Sequence, residues 1–394
     1  MSSTSVARVR VYPLSIAMRR PFGHAAHVRA TADPIVVEVE LFDGTTGYGE
    51  TLARPYVSGE TVGSVVAAVQ SVFVTELLSY RPARFAEALE RIDLLPGVDE
   101  NGDTILAARA AVELALLDAY SRHFRKPVGE AVSWMGLPGF GPPGSRARLR
   151  YSGVLSGEPG RLRRSARLMR WFGLRDFKLK VGYDDDEDRV RAVARSLGRS
   201  LGRTTTLRLD ANGGWSLARA VQRLEALADL PIACVEQPLP RECDGELAEL
   251  KAAVPVQVMH DESLLSMADA ERLAQAGVAD GFNVRIAKNG GFLPAVRLAH
   301  FALRHGILCQ LGCMVGETSI LSAAGRRFLE QVPGLAFAEG SYGTFLLKGD
   351  VVERPLRFGY GGRIRPLSGF GWGVDVKREL LERHSTGSVL EIPL

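Results

Sequence analysis

From residue 149 onward the chain repeats one pattern, and that pattern limits its fold more than any other feature. Short β-branched or apolar runs alternate with helical patterns of about 10 to 15 residues, the sequence form of repeated βα units feeding a parallel sheet. The runs fall at 149–154, 176–181, 206–209, 233–235, 256–259, 281–284, 306–311 and 335–338. Eight strands at intervals of about 25 to 30 residues fit a closed parallel barrel better than an open doubly wound sheet.

The first 145 residues follow a different grammar. Segments 6–12 and 34–41 alternate apolar and polar residues as antiparallel strands do, and Asp43-Gly44 is a hairpin signal leading into Gly47-Tyr48-Gly49-Glu50. Helical patterns follow at 63–78, 83–95 and 105–120, the last apolar nearly all round and therefore predicted to be buried. The Gly- and Pro-rich stretch 136–144 marks the boundary. The expected division is an α+β capping domain at 1–145, a (β/α) barrel at 146–349, and a segment at 350–394, with one helical pattern at 376–383, that returns to the capping domain.

With 394 residues, 46% of them hydrophobic and 24% charged, the chain can build a sizeable core. Only seven of its 49 basic residues are lysine, and the arginines are spread along the whole length. The formal charge of +4 then reads as a mild surface bias, with no nucleic-acid partner expected. The four cysteines form no CxxC pair and have no histidines at zinc spacing, which suits a reducing compartment. No secretion signal precedes the fold and no apolar run reaches the length of a membrane span, so a cytoplasmic protein without a membrane partner is expected.

In a barrel of this kind the active site lies where the strands end. The second strand closes with Lys178, Leu179 and Lys180, the third with Asp210, the fourth with Glu236, the fifth with Asp261 and the sixth with Arg285. Successive carboxylates lie 26 and 25 residues apart, one βα unit each, and should converge at one mouth. Three uncompensated carboxylates in a low-dielectric cleft repel, and a bound divalent cation resolves the conflict. All-oxygen ligation favours Mg2+, with Mn2+ next. Lys178 and Lys180 point to the same side of their strand. A lysine beside a metal and a second cation should have a lowered pKa and can serve as a general base. The metal would bind a substrate carboxylate, acidify its α-proton and stabilise the enediolate left by proton removal.

On these residues the chain resembles the enolase superfamily, in its muconate lactonizing enzyme subgroup. The matching stretches are FKLKVG (177–182), LDAN (209–212), VEQP (235–238), HDES (260–263) and FNVRIAKNGG (282–291), together with the N-terminal GYGE. The resemblance implies a modified TIM barrel, (β/α)7β, in an α/β fold with the capping domain described above. It also implies Asp210, Glu236 and Asp261 as metal ligands, Lys180 as acid/base, Lys178 beside the substrate carboxylate, and Asn212 and Glu262 as supporting groups. The capping loop at 21–31, with His24, and the region of Tyr56 would set specificity, the substrate being a small carboxylic acid. Glu317 is carried over as a substrate contact, and a homo-oligomer is implied.

One position departs from the subgroup. Strand six usually ends in a lysine facing Lys180 across the substrate, whereas this chain has Arg285, a poor proton acceptor. That leaves one-base chemistry intact, as in a cycloisomerase or a syn-elimination, and weakens a two-base epimerase or racemase of dipeptides or N-acylamino acids. A catalytically silent metal-carboxylate binder is a further alternative. The bland readings make Asp210 and Asp261 helix N-caps near Ser216 and Ser266, and Arg285 a structural partner of Asp261 or Glu262.

Overall fold

A computed structural model describes residues 3–23, 28–141 and 150–394. Eight parallel strands form the central sheet: β6 (Gly153–Leu155), β7 (Asp176–Lys180), β8 (Thr206–Asp210), β9 (Cys234–Glu236), β10 (Val258–His260), β11 (Gly281–Val284), β12 (Leu308–Leu311) and β13 (Phe337–Ala338). They pair in chain order, and a parallel bridge from Tyr151 to Ala338 joins the first strand to the last. The sheet thereby closes on itself. Each strand was expected from its apolar run, and each starts or ends within about three residues of that expectation because such runs are buried on both faces.

A second sheet, antiparallel, contains β1 (Val6–Pro13), β4 (Ile35–Leu41), β5 (Thr46–Thr51) and β14 (Leu390–Pro393), in the order β14-β1-β4-β5. The helix Leu106–His123 is buried from Ala107 to Ser121 and lies against β5. Glycines 47 and 49 permit that contact: a Cβ on Gly47 would stand 2.3 Å from the Ala115 carbonyl, and one on Gly49 1.9 Å from that of Ala111. The alternation in β4 suggests one wet face, yet Glu38 is fully buried. Its carboxylate accepts from Arg10 Nη1 at 2.6 Å, from Tyr12 Oη at 3.0 Å and from Arg378 of the returning segment at 2.5 Å.

Two expectations need correction. The segment 21–31, read as a loop, contributes to a hairpin of β2 (Ile16–Gly23) and β3 (Val28–Ala32), with Phe22 opposite Arg29. His24 lies outside the described residues. The arginines are also not evenly spread, since six of them fall within residues 161–175. The helix Pro159–Trp171 and the turn after it expose Arg161, Arg163, Arg164, Arg167, Arg170 and Arg175, with no acidic residue between positions 159 and 175. Among the described residues, no helix is long and apolar enough to cross a membrane.

Candidate active site

The chemistry-bearing residues reach one place because β7, β8 and β9 pair in register. Lys180 is aligned with Asp210, and Asp210 with Glu236. Asp261 and Arg285 follow directly on β10 and β11. Asp261 is fixed by Gln237, whose Oε1 accepts from the Asp261 and Ser263 backbone amides at 3.1 Å each. Neither aspartate caps a helix: Ser216 and Ser266 do that at Leu217–Ala226 and Met267–Gln275.

The three carboxylates are fully buried and each meets cations. Lys180 Nζ donates to Asp210 Oδ2 at 2.6 Å and to Asn212 Oδ1 at 2.9 Å. Lys178 Nζ lies 3.2 Å from both Asp210 Oδ2 and Glu236 Oε1. Asp261 is held by Arg285 Nη2 and by Lys288 Nζ, the latter at 2.9 Å, and Arg285 stands 3.8 Å from Glu236. Arg285 thus has the expected structural partner and also lines the cavity. Lys288 is buried and does not line it, spending its remaining protons on the carbonyls of Asp261 and Asn283.

This charge pattern sets the protonation. Burial opposes ionisation of Asp210, but Lys180 and Lys178 outweigh it and hold the carboxyl below its ordinary range. Burial raises Glu262, and repulsion from Asp210 adds to it. With the carboxylates facing it directly, Lys178 is lowered by desolvation, yet Glu236, Glu339 and Asp210 together hold it above the ordinary lysine value.

Lys178, Lys180, Asn212, Glu262, Arg285 and Tyr56 all line one cavity of about 380 Å³. Glu317 does not. It is buried to the side, where its carboxylate accepts from the Met314 amide and from Ser322 Oγ. The cavity is lined instead by Glu339, which directly follows β13 and joins Lys178 Nζ at 2.8 Å to Arg208 Nη2 at 2.9 Å. Sequence reasoning missed Glu339, although the strand-end rule that selects Asp210 and Glu236 selects it when carried to the eighth strand.

Among the described residues, no three carboxylates, histidines or cysteines stand close enough to enclose a metal ion, because their oxygens are turned onto lysine and arginine. The donor set nevertheless fits a hard divalent cation. Three buried carboxylates end adjacent strands, and the neighbouring acceptors Glu262 Oε2, Asn283 Oδ1 and Gln310 Oε1 have no donor. A cation reaching these carboxylates would take over the counter-charge role of Lys180 and Arg285.

A family model described as enolase C-terminal domain-like matches residues 161–380, and one for the mandelate racemase / muconate lactonizing enzyme N-terminal domain matches residues 6–132. The N-succinyl-L-Arg/Lys racemase of Bacillus cereus is 28% identical over 327 residues, covering 81% of this chain and 82% of its own. Its crystal structure superposes with a TM-score of 0.84 at 25% identity, covering 98% of this chain and 100% of that one. Muconate cycloisomerase 1 of Rhodococcus opacus is 28% identical over 394 residues, covering 97% and 99%. The hydrophobic dipeptide epimerase of Enterococcus faecalis is 28% identical over 319 residues, covering 80% and 84%.

Proposed function

The chain belongs to the mandelate racemase / muconate lactonizing enzyme family of the enolase superfamily, and from that premise we propose that it moves a single proton α to a substrate carboxylate, by cycloisomerase-like or syn-elimination chemistry, with Mg2+ bound by Asp210, Glu236 and Asp261. The observation that carries this reading is the asymmetry of the cavity: two lysines on one strand end, and an arginine tied to Asp261 where a second base would stand.

The bound cation would supply positive charge that acidifies the α C–H bond. Lys180, whose Nζ stands 2.6 Å from Asp210 and 2.9 Å from Asn212, lines the cavity and would face the substrate α-carbon. Its Nζ takes the α-proton and becomes ammonium, while the C–H electron pair moves into the carboxylate. Lys178 keeps Glu339 at 2.8 Å as a partner outside the ligand set, and its ammonium steadies that negative charge. Arg285 keeps its proton and acts as fixed charge. In a lyase, Lys180 keeps the proton as the β C–O bond breaks and its electron pair leaves with the departing group; in a cycloisomerase the order runs backwards, a substrate carboxylate oxygen adding to the C=C bond and the Lys180 ammonium delivering its proton to the α-carbon of the resulting enediolate.

Inversion is the second reading, favoured because two of the relatives above are a racemase and an epimerase. It needs a proton carrier opposite Lys180. Proton NMR in D2O with Mg2+ and then EDTA, over muconates, hydroxy acids, N-acylamino acids and dipeptides, tests both. Metal-dependent exchange or conversion with the α-configuration retained is expected; inversion establishes the epimerase reading. Lys180→Ala should lower turnover by about 10²- to 10⁴-fold while calorimetry still shows Mg2+ and ligand binding. Full activity in that variant would reject Lys180 as the base, and an inactive wild type that binds both would be a silent binder.

A further inference from the structure

The cavity has two chemically different ends. At one end stand the lysine pair, Asn212, Glu262 and Arg285, and Arg29 and Arg54 of the capping domain also line the cavity. At the other, Leu168, Met169, Phe172, Phe345, Leu346 and Phe358 line it, with no charge among them. The two ends are continuous at the barrel seam. There β13 has two residues and β6 three, and the described bond between them is the Ser152 amide donating to the Ala338 carbonyl at 2.8 Å. Beyond that bond Glu339 still donates its amide to the Leu311 carbonyl at 2.8 Å, and Ser341 adopts a φ of 55° before Tyr342 turns back to donate to the Ser152 carbonyl.

The apolar end is packed by its own aromatic side chains. Phe358 packs its ring 5.1 Å from Phe345, 5.7 Å from Tyr151, 6.0 Å from Tyr342 and 6.4 Å from Phe172, a set of edge and tilted contacts that holds the rings in place. Leu168 and Phe345 remain 55% and 51% exposed at its border. Large apolar side chains left open beside a preformed apolar wall mark a ligand surface. The total volume lies in the range that holds drug-sized ligands.

We propose that the substrate is a carboxylate bearing a large apolar substituent, with the carboxylate at the lysine end and the substituent lodged across the seam against Phe172, Phe345 and Phe358. This rests on the α-proton chemistry proposed above and narrows it. Short dicarboxylates of the muconate type would leave the apolar end empty.

The test uses the intact protein with Mg2+ and a series of N-acyl-alanines from acetyl to decanoyl, alongside cis,cis-muconate. Binding is read by calorimetry and α-exchange in D2O by NMR. Affinity should rise about fourfold per methylene, the equivalent of about 0.8 kcal/mol, until the cavity is full. Leu168→Gln and Phe345→Gln, at half-exposed positions, should flatten that dependence and act mainly on KM for the long members. Affinity independent of chain length, or muconate binding more tightly than every acyl-alanine, would overturn the proposal. Chain-length-dependent binding without Lys180-dependent exchange would keep the apolar subsite and reject the proton chemistry. Exchange without chain-length dependence would do the reverse.

Discussion

At position 285 one side-chain difference separates two stereochemical outcomes. Arginine holds its proton throughout the working pH range, and here it is also anchored to Asp261, so it offers fixed charge where lysine would offer a movable proton. Arg285→Lys should therefore create a second acceptor facing Lys180. Chiral chromatography of substrate recovered from D2O should then show inversion, at a rate low compared with single-base exchange, where the native protein retains configuration. Loss of all exchange in this variant would mean that the guanidinium itself carries the reaction. The neighbouring Lys288 does not rescue the arginine's role, because all its described bonds go to buried oxygens of Asp261 and Asn283.

Among the elements, two buried carboxylates of the capping domain meet the barrel at helix starts. Glu50, at the end of β5, accepts from the Thr318 and Leu321 amides at the start of Ser319–Gln331. Glu113 accepts from the Phe292 and Leu293 amides at the start of Phe292–Arg304. Both pairs satisfy helix-terminal donors and meet the positive end of the dipole. Burial pushes Glu50 up to about 8 from an ordinary 4.5, with Glu317 facing it adding repulsion. A raised carboxyl binds its proton more tightly in the folded state. Its contribution is complete below pH 4.5 and is lost as the pH rises through about 8. Melting curves should show the native protein losing stability relative to Glu50→Gln between pH 5 and 8.5, by at most about 1.4 kcal/mol per pH unit. A constant difference would mean that Glu50 is ionised throughout.

The same elements show what was legible in the sequence. The barrel strands and their charged ends could be read locally, since each run and its closing residue are contiguous. Glu50 was visible only as part of GYGE, because its donors lie 268 and 271 residues away. Glu113 sits in a helix read as uniformly apolar, and its purpose depends on Gly291, where an added Cβ would meet its carboxylate at 1.9 Å. Partners so distant leave no periodic trace. Glu317 was misplaced for a related reason: spacing alone does not show on which side of a turn a side chain falls.

On the scale of the whole molecule, the returning segment connects everything. Trp372 is fully buried, donates from Nε1 to the carbonyls of Tyr48 and Leu114, and packs 5.6 Å from Phe292 of a barrel helix. Trp372→Ala should destabilise by about 3 to 5 kcal/mol. Urea unfolding followed by far-ultraviolet dichroism and by fluorescence should give coincident transitions, with cap and barrel lost together. Separated transitions would show that the barrel stands alone.

The pairing of β14 with β1 also governs how the chain is made. Arg8 faces Pro393 and Arg10 faces Glu391, partners that emerge from the ribosome more than 380 residues later. At about 5 to 20 residues per second, β1 spends roughly 20 to 75 seconds as an open edge. Arginines on such an edge deter pairing with a neighbouring nascent chain. Once Glu391 arrives at 2.7 Å from Arg8 and 2.8 Å from Arg10, the charges that protected the unfinished sheet become the ones that close it.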